Sequence, residues 1–129
     1  SWSRPLPLGS DVNTSDFTET TPFLAADGAT LYFSSNRPGG QGSNDIWVVR
    51  RVDKTWQRWS KPQNLGPVIN TDGYDAYYSV AASGEWAYMT TKKNSLGKGD
   101  IVRIKLRSDA PADTTRGPGR LSSGVARIG

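Results

Sequence analysis

Apolar and polar positions alternate along most of the chain in short runs. TLYFSS (residues 30–35) sets Leu31 and Phe33 on one side of an extended backbone and Thr30 and Tyr32 on the other. DIVRIKL (residues 100–106) sets Val102, Ile104 and Leu106 against Ile101, Arg103 and Lys105. A period of two predicts strands. TPFLA (21–25), DIWVVRRV (45–52), AYYSVA (76–81) and EWAYMTT (85–91) read the same way, and no window repeats at the 3.6-residue period of a helix. Asp27-Gly28 and Ser83-Gly84 fall between paired runs, where a hairpin turn needs them. Gly39, Gly40 and Gly42 interrupt the next pair, ahead of Asp45. KTWQRWSKPQNLG (54–66) predicts a fourth, irregular strand, and its Pro62 suits a sheet edge because proline has no N–H to give a central ladder.

The pattern occurs twice. WSRPLPLGSDVNT (2–14) matches WSKPQNLGPVINT (59–71) at an offset of 57, with seven identities including Trp, Pro and Gly. FLAADGATLYFSS (23–35) matches SVAASGEWAYMTT (79–91) at 56, and Asp45-Ile46 matches Asp100-Ile101 at 55. The offset shrinks in the loops, as insertions and deletions do. Four short antiparallel strands per unit of about 55 residues is the arrangement of a propeller blade.

Composition narrows the chemistry. The 129 residues suffice for one domain with a core, and 5 Trp, 5 Tyr and 3 Phe supply large rings to bury. The chain has no His and no Cys, which removes disulfides, thiolate sites and any Ser-His-Asp or Cys-His mechanism built within it. No apolar run approaches the roughly 20 residues of a membrane span, and SWSRPLPLGS at the start lacks the layout of an export signal. The charge of +4 is uneven: residues 1–49 hold two basic and five acidic residues, and the rest hold fourteen and seven. Lys92, Lys93, Lys98, Arg103, Lys105 and Arg107 crowd one stretch. Without a nucleic-acid motif beside it, this reads as a solvated strand face and loop, and no nucleic-acid partner is expected.

PFLAADGATLYFSSNRPGGQGSNDIWVVRR, the WSKPQNLGPVINT linker and the diverged second copy resemble the WD40-like β-propeller repeats of the Pro-Asp type, also found in TolB. The resemblance is strongest to the version in outer-membrane-associated proteins of the OmpA family. It covers residues 2–106; the second copy departs from it at Ser83 and at KKNSLGKGD (92–100). It implies an all-β fold: a β-propeller fragment over residues 1–107, with two four-stranded antiparallel blades (about 15–65 and 72–107), the last one incomplete. Residues 1–14 would be the outer strand and link from a preceding blade, and the Pro/Gly/Ser/Thr-rich residues 108–129 a linker tail or the start of a following domain. It also implies a periplasmic, outer-membrane-associated protein with an envelope protein partner, and neither enzyme activity nor a cofactor. A carbohydrate- or peptidoglycan-contacting module is one alternative; the substrate-gating propeller of a hydrolase or peptidase is another. Two blades cannot close a ring of about 4–8, so the chain is expected to meet other blades or to self-associate. Trp47, Tyr32, Phe33, Tyr88 and Trp86 are expected between the two blades.

Two groups of residues are candidates for function. Asp16, Glu19, Asp72, Tyr74, Asp75 and Tyr78 cluster before the first strand of each unit, where an aromatic and acidic rim could bind a peptide or glycan; Tyr77 sits among them. The second group is structural: Asp27, Gly28, Gly39, Gly40, Gly42, Asp45, Gly84 and Asp100 read as turn chemistry. The glycine loop joins strand to strand and lacks the Lys-Ser/Thr pair of a phosphate loop. Asn44 and Asp45 alone do not make a calcium loop, and no metal site is expected.

Overall fold

A computed structural model describes residues 3–93 and 97–106. They form two antiparallel sheets, with no helix among the described residues. The first sheet has the order β1-β2-β3-β4: β1 (Glu19–Leu24), β2 (Thr30–Ser35), β3 (Asp45–Arg50) and β4 (Gln63–Asn64). The second has the order β5-β6-β7: β5 (Asp75–Val80), β6 (Trp86–Thr91) and β7 (Asp100–Lys105). The fold is all-β. Residues 107–129, which include the expected tail at 108–129, lie outside the described residues, as does Trp2.

The two sheets repeat one design down to single hydrogen bonds. Phe33 pairs with Trp47 and Leu31 with Val49; Met89 pairs with Val102 and Ala87 with Ile104 at the equivalent positions. Both first strands carry an irregularity at the same place, between Thr20 and Phe23 and between Ala76 and Ser79. The extra residue there takes a positive φ in each, 50° at Thr21 and 59° at Tyr77, a conformation that L residues with bulky side chains rarely adopt. The two irregularities are tied together, since the Tyr77 N–H donates to Thr21 Oγ1 at 3.1 Å. The hairpin turns also match: the Gly28 N–H donates to the Ala25 carbonyl and the Gly84 N–H to the Ala81 carbonyl.

The core has two parts. Between the sheets, Tyr32, Ile46 and Val48 of the first meet Tyr78, Ala87 and Met89 of the second, with Leu65, Ile69 and Leu106. On the far face of the first sheet, Leu31, Phe33, Trp47 and Val49 are covered by Val12, Trp59 and the half-buried Leu8 and Trp56. Burying each large apolar side chain contributes about 1.5–3 kcal/mol, so both faces of the first sheet are held by packing.

This division corrects the expectation about the aromatic residues. Of the five placed between the sheets by the sequence, Tyr32 alone lies there. Phe33 and Trp47 are one step out of phase with Tyr32 and Ile46, so alternation turns them to the far face. Tyr88 is the counterpart of Tyr32 and points the same way along the stack, where no third sheet follows among the described residues. Residues 3–9 form no strand here; the Leu8 carbonyl accepts from the Trp59 indole N–H at 2.9 Å.

Candidate functional site

The loops entering β1 and β5 and the glycine loop between β2 and β3 meet at one end of the sheets. Asp75 N–H donates to the Asn44 carbonyl at 3.0 Å, and Ser43 N–H to the Gly73 carbonyl at 3.1 Å. Five of the six candidate rim residues lie here and Tyr78 stands farther along β5; the six divide into three kinds.

Asp75 and Glu19 are local caps. The Thr71 N–H donates to Asp75 Oδ2 at 2.8 Å and the Thr71 hydroxyl to Asp75 Oδ1 at 3.0 Å. In the first unit, the Thr14 N–H donates to Glu19 Oε1 at 3.0 Å and the Thr14 hydroxyl to Glu19 Oε2 at 2.6 Å. Asp75 is fully buried, and Glu19 also takes Arg37, at 3.3 Å, with both side chains only 11% exposed. Arg37 continues to the Val12 carbonyl at 2.6 Å and lies over the rings of Phe33 and Trp47. Charged partners at this depth make strong hydrogen bonds. These carboxylates hold the chain entering each sheet.

Tyr78 is core. Its ring centroid is 4.9 Å from that of Tyr32, and its hydroxyl has no hydrogen-bond partner among the described residues. Burial pushes both phenols far above their ordinary pKa, with a smaller contribution from Asp27 on Tyr32 and from Tyr32 on Tyr78.

Asp16, Asp72 and Tyr74 remain at the surface. Lys93 Nζ stands 2.8 Å from Asp72; its hydrogen bond and charge hold the Asp72 carboxyl below the usual range. Lys92 Nζ sits 4.9 Å from the centroid of the Tyr74 ring, a cation–π arrangement. Asp16 is exposed beside Ser15. The exposed part of the rim is thus mixed in charge: two acids, two lysines and one half-buried tyrosine.

The glycine loop is packed against its surroundings. Asp45, buried at its end, accepts from the Gln41 N–H and, at 3.1 Å, from Asn64 Nδ2. A side chain at Gly40 would strike that carboxylate, and one at Gly42 would strike the backbone of residues 71–73. Gly39 has φ 100°. At the opposite end, Asp27 accepts from the N–H groups of Ala29 and Thr30 and from the Thr30 hydroxyl at 2.7–2.9 Å. Partial burial raises its pKa, but these bonds and Arg50 outweigh it and hold the carboxyl below its ordinary value. Ser83, in the second copy, accepts one bond, from the Glu85 N–H at 3.2 Å. Gly28 and Gly84 both take positive φ. Asp100 begins β7 as Asp45 begins β3.

Three features were not read from the sequence. One is Asn70, whose side chain grips a strand edge: Oδ1 accepts from the Ile46 N–H at 2.7 Å and Nδ2 donates to the Ile46 carbonyl at 3.0 Å. Its signal was the Asn-Thr pair shared by both linkers. The second is the outer face of the second sheet, where Arg103 lies 3.9 Å and Lys105 5.0 Å from the Trp86 ring centroid. The third is an apolar cleft of about 430 Å³ between the hairpins, lined by Phe23, Leu24, Tyr32, Val80 and Ala81 among others. Among the described residues no group of three Asp or Glu could hold a metal ion, and no helix is long and apolar enough to cross a membrane. No family model, curated protein or solved structure matches the chain.

Proposed function

We propose that the chain is a pair of β-propeller blades serving as a non-catalytic scaffold and protein-interaction module in a bacterial periplasmic, outer-membrane-associated protein. One observation carries this reading: the second sheet reproduces the register, strand irregularity and hairpin of the first, and the linker between them packs into their shared core. A unit that buries its face only against its neighbour is the building principle of repeat folds. The carboxylates nearest the rim support it too, because Glu19 and Asp75 are occupied in holding backbone rather than open to a substrate.

The surface offered to a partner is the exposed rim of Asp16, Asp72 and Tyr74 with Lys92 and Lys93. A pull-down from a bacterial envelope fraction tests it, comparing the wild type with Asp72→Ala plus Tyr74→Ala. The expected result is a partner held by the wild type and lost by the variant at unchanged melting temperature. The same proteins captured by both would count against the rim as the binding surface.

A further inference from the structure

Among the described residues one sheet edge has no neighbouring strand, and another segment has the shape that would match it. In the first sheet β4 lies along β3, and the linker grips that edge through two residues. Leu65 N–H donates to the Ile46 carbonyl at 3.1 Å, and the Asn70 side chain takes both backbone groups of Ile46. In the second sheet β7 is the counterpart of β3, and no strand lies beside it on the side away from β6 among the described residues. Ile101, the counterpart of Ile46, is 79% exposed where Ile46 is fully buried. Open edges of this kind invite another strand.

The strap is the segment that matches the linker in sequence. It already has the linker's shape: the Asn13 N–H donates to the Gly9 carbonyl as the Asn70 N–H does to that of Gly66, and Gly9 and Gly66 have φ of 89° and 85°. Thr14 binds Glu19 as Thr71 binds Asp75. The difference lies in what it grips. The Asn13 side chain is exposed and makes no hydrogen bond among the described residues, residues 3–7 are exposed and unpaired, and Leu6 is 68% exposed.

We propose that residues 3–14 of one copy dock on the β7 edge of a second copy, with Leu8 and Asn13 holding Ile101 as Leu65 and Asn70 hold Ile46. This rests on reading the sheets as propeller blades. Pro7 stands in the place of Asn64 and does not obstruct the pairing. Since Leu65 N–H points at β3, the N–H one residue earlier points away from it, and a proline there forfeits no ladder bond. Charge bears on the same orientation: exposed Asp11 and Asp16 lie at the strap end with Arg4, and the cations Lys98, Arg103 and Lys105 at the edge end. The contact is head-to-tail, so every added copy brings a new edge and a new strap until a ring closes. For a propeller of about 4–8 blades that is two to four copies.

Sedimentation velocity and native mass spectrometry on the full chain test this. The wild type is expected to assemble with rising concentration into a closed species of two to four copies. Asn13→Ala disables the strap and Ile101→Pro disables the edge. Each is expected to weaken assembly at least tenfold while keeping the wild-type circular dichroism and melting transition. Mixed one to one, they should form a heterodimer and nothing larger, because the pair retains one working strap and one working edge. A wild type that stays monomeric at hundreds of micromolar overturns the proposal and leaves the edge to another segment or partner. Assembly indifferent to Asn13→Ala and to a second edge variant, Ile101→Lys, overturns it as well. Neither outcome bears on the rim, whose partner should bind the Asn13→Ala monomer unchanged.

Discussion

Ile46 and Ile101 hold the same place in the same repeated strand, one fully buried and the other 79% exposed. The sheets that carry them differ most at the positions a neighbouring sheet covers in one and not in the other: Val48 becomes Arg103, and Tyr32, 4% exposed, becomes Tyr88 at 39%. The backbones nevertheless share register, strand irregularity and turn. The repeat therefore fixes the backbone, while the neighbour on each side selects the side chains. An end unit needs a more polar outer face than an inner one. The second sheet meets that need with cations over a ring, Arg103 and Lys105 over Trp86, whereas the far face of the first sheet is apolar and covered by Val12 and Trp59.

Matched substitutions at equivalent positions test the comparison. The largest contrast is expected at the two isoleucines. Ile46→Ala should cost about 4 kcal/mol in urea unfolding, as buried truncations do, and Ile101→Ala less than about 0.5 kcal/mol. Equal costs would mean that the faces are not distinct in solution. Next come the asparagines. Asn70→Ala leaves the Ile46 N–H without its partner, while the Ile46 carbonyl keeps the Leu65 N–H, and should cost about 2 kcal/mol, whereas Asn13→Ala in a dilute monomer should stay within about 0.5 kcal/mol.

The turns give a smaller contrast. Asp27→Ala should cost about 1 kcal/mol at pH 7 and Ser83→Ala less, because Ser83 accepts one bond where Asp27 accepts three within its turn and a fourth from Arg50. The Asp27 term has a definite pH sign. Folding lowers its pKa below 3.8, so its contribution is present above that value and fades as pH falls through the folded value. The gap between wild type and Asp27→Ala should close there in acid titrations. Smallest is Tyr78→Phe, which removes a buried hydroxyl that lacks a partner; thermal melts should show no loss or a slight gain.

Much of this architecture was legible in the sequence. TLYFSS is β2 residue for residue, and the offsets of 57, 56 and 55 located the linker, hairpin and loop. Period-two alternation says that Phe33 and Tyr32 point oppositely, yet not which of them meets the neighbouring sheet, and the aromatic residues were misplaced for that reason. The fourth strand proved to be two residues, Gln63 and Asn64, because Asn70 does part of its work with a side chain. Asp75 and Tyr78 were grouped with a rim because they sit beside Asp72 and Tyr74. Thr71, four residues before Asp75 as Thr14 is five before Glu19, was the available sign that the acid caps its own loop. Burial depends on a partner sheet contributed from elsewhere in the chain, and local pattern carries no record of it.

The tryptophans give this asymmetry an optical form. Trp47, Trp56 and Trp59 all gather on the far face of the first sheet, and the second sheet has only Trp86, half-exposed beneath its cations. With Trp2, which lies outside the described residues, replaced by Phe, intrinsic fluorescence contains a shielded component from one side of the described residues and a component open to aqueous quenchers from the other. The tyrosine pair Tyr32 and Tyr78 marks the boundary between them. Emission and near-ultraviolet dichroism recorded on one sample would follow the two halves separately, without a label, and report whether they come apart together.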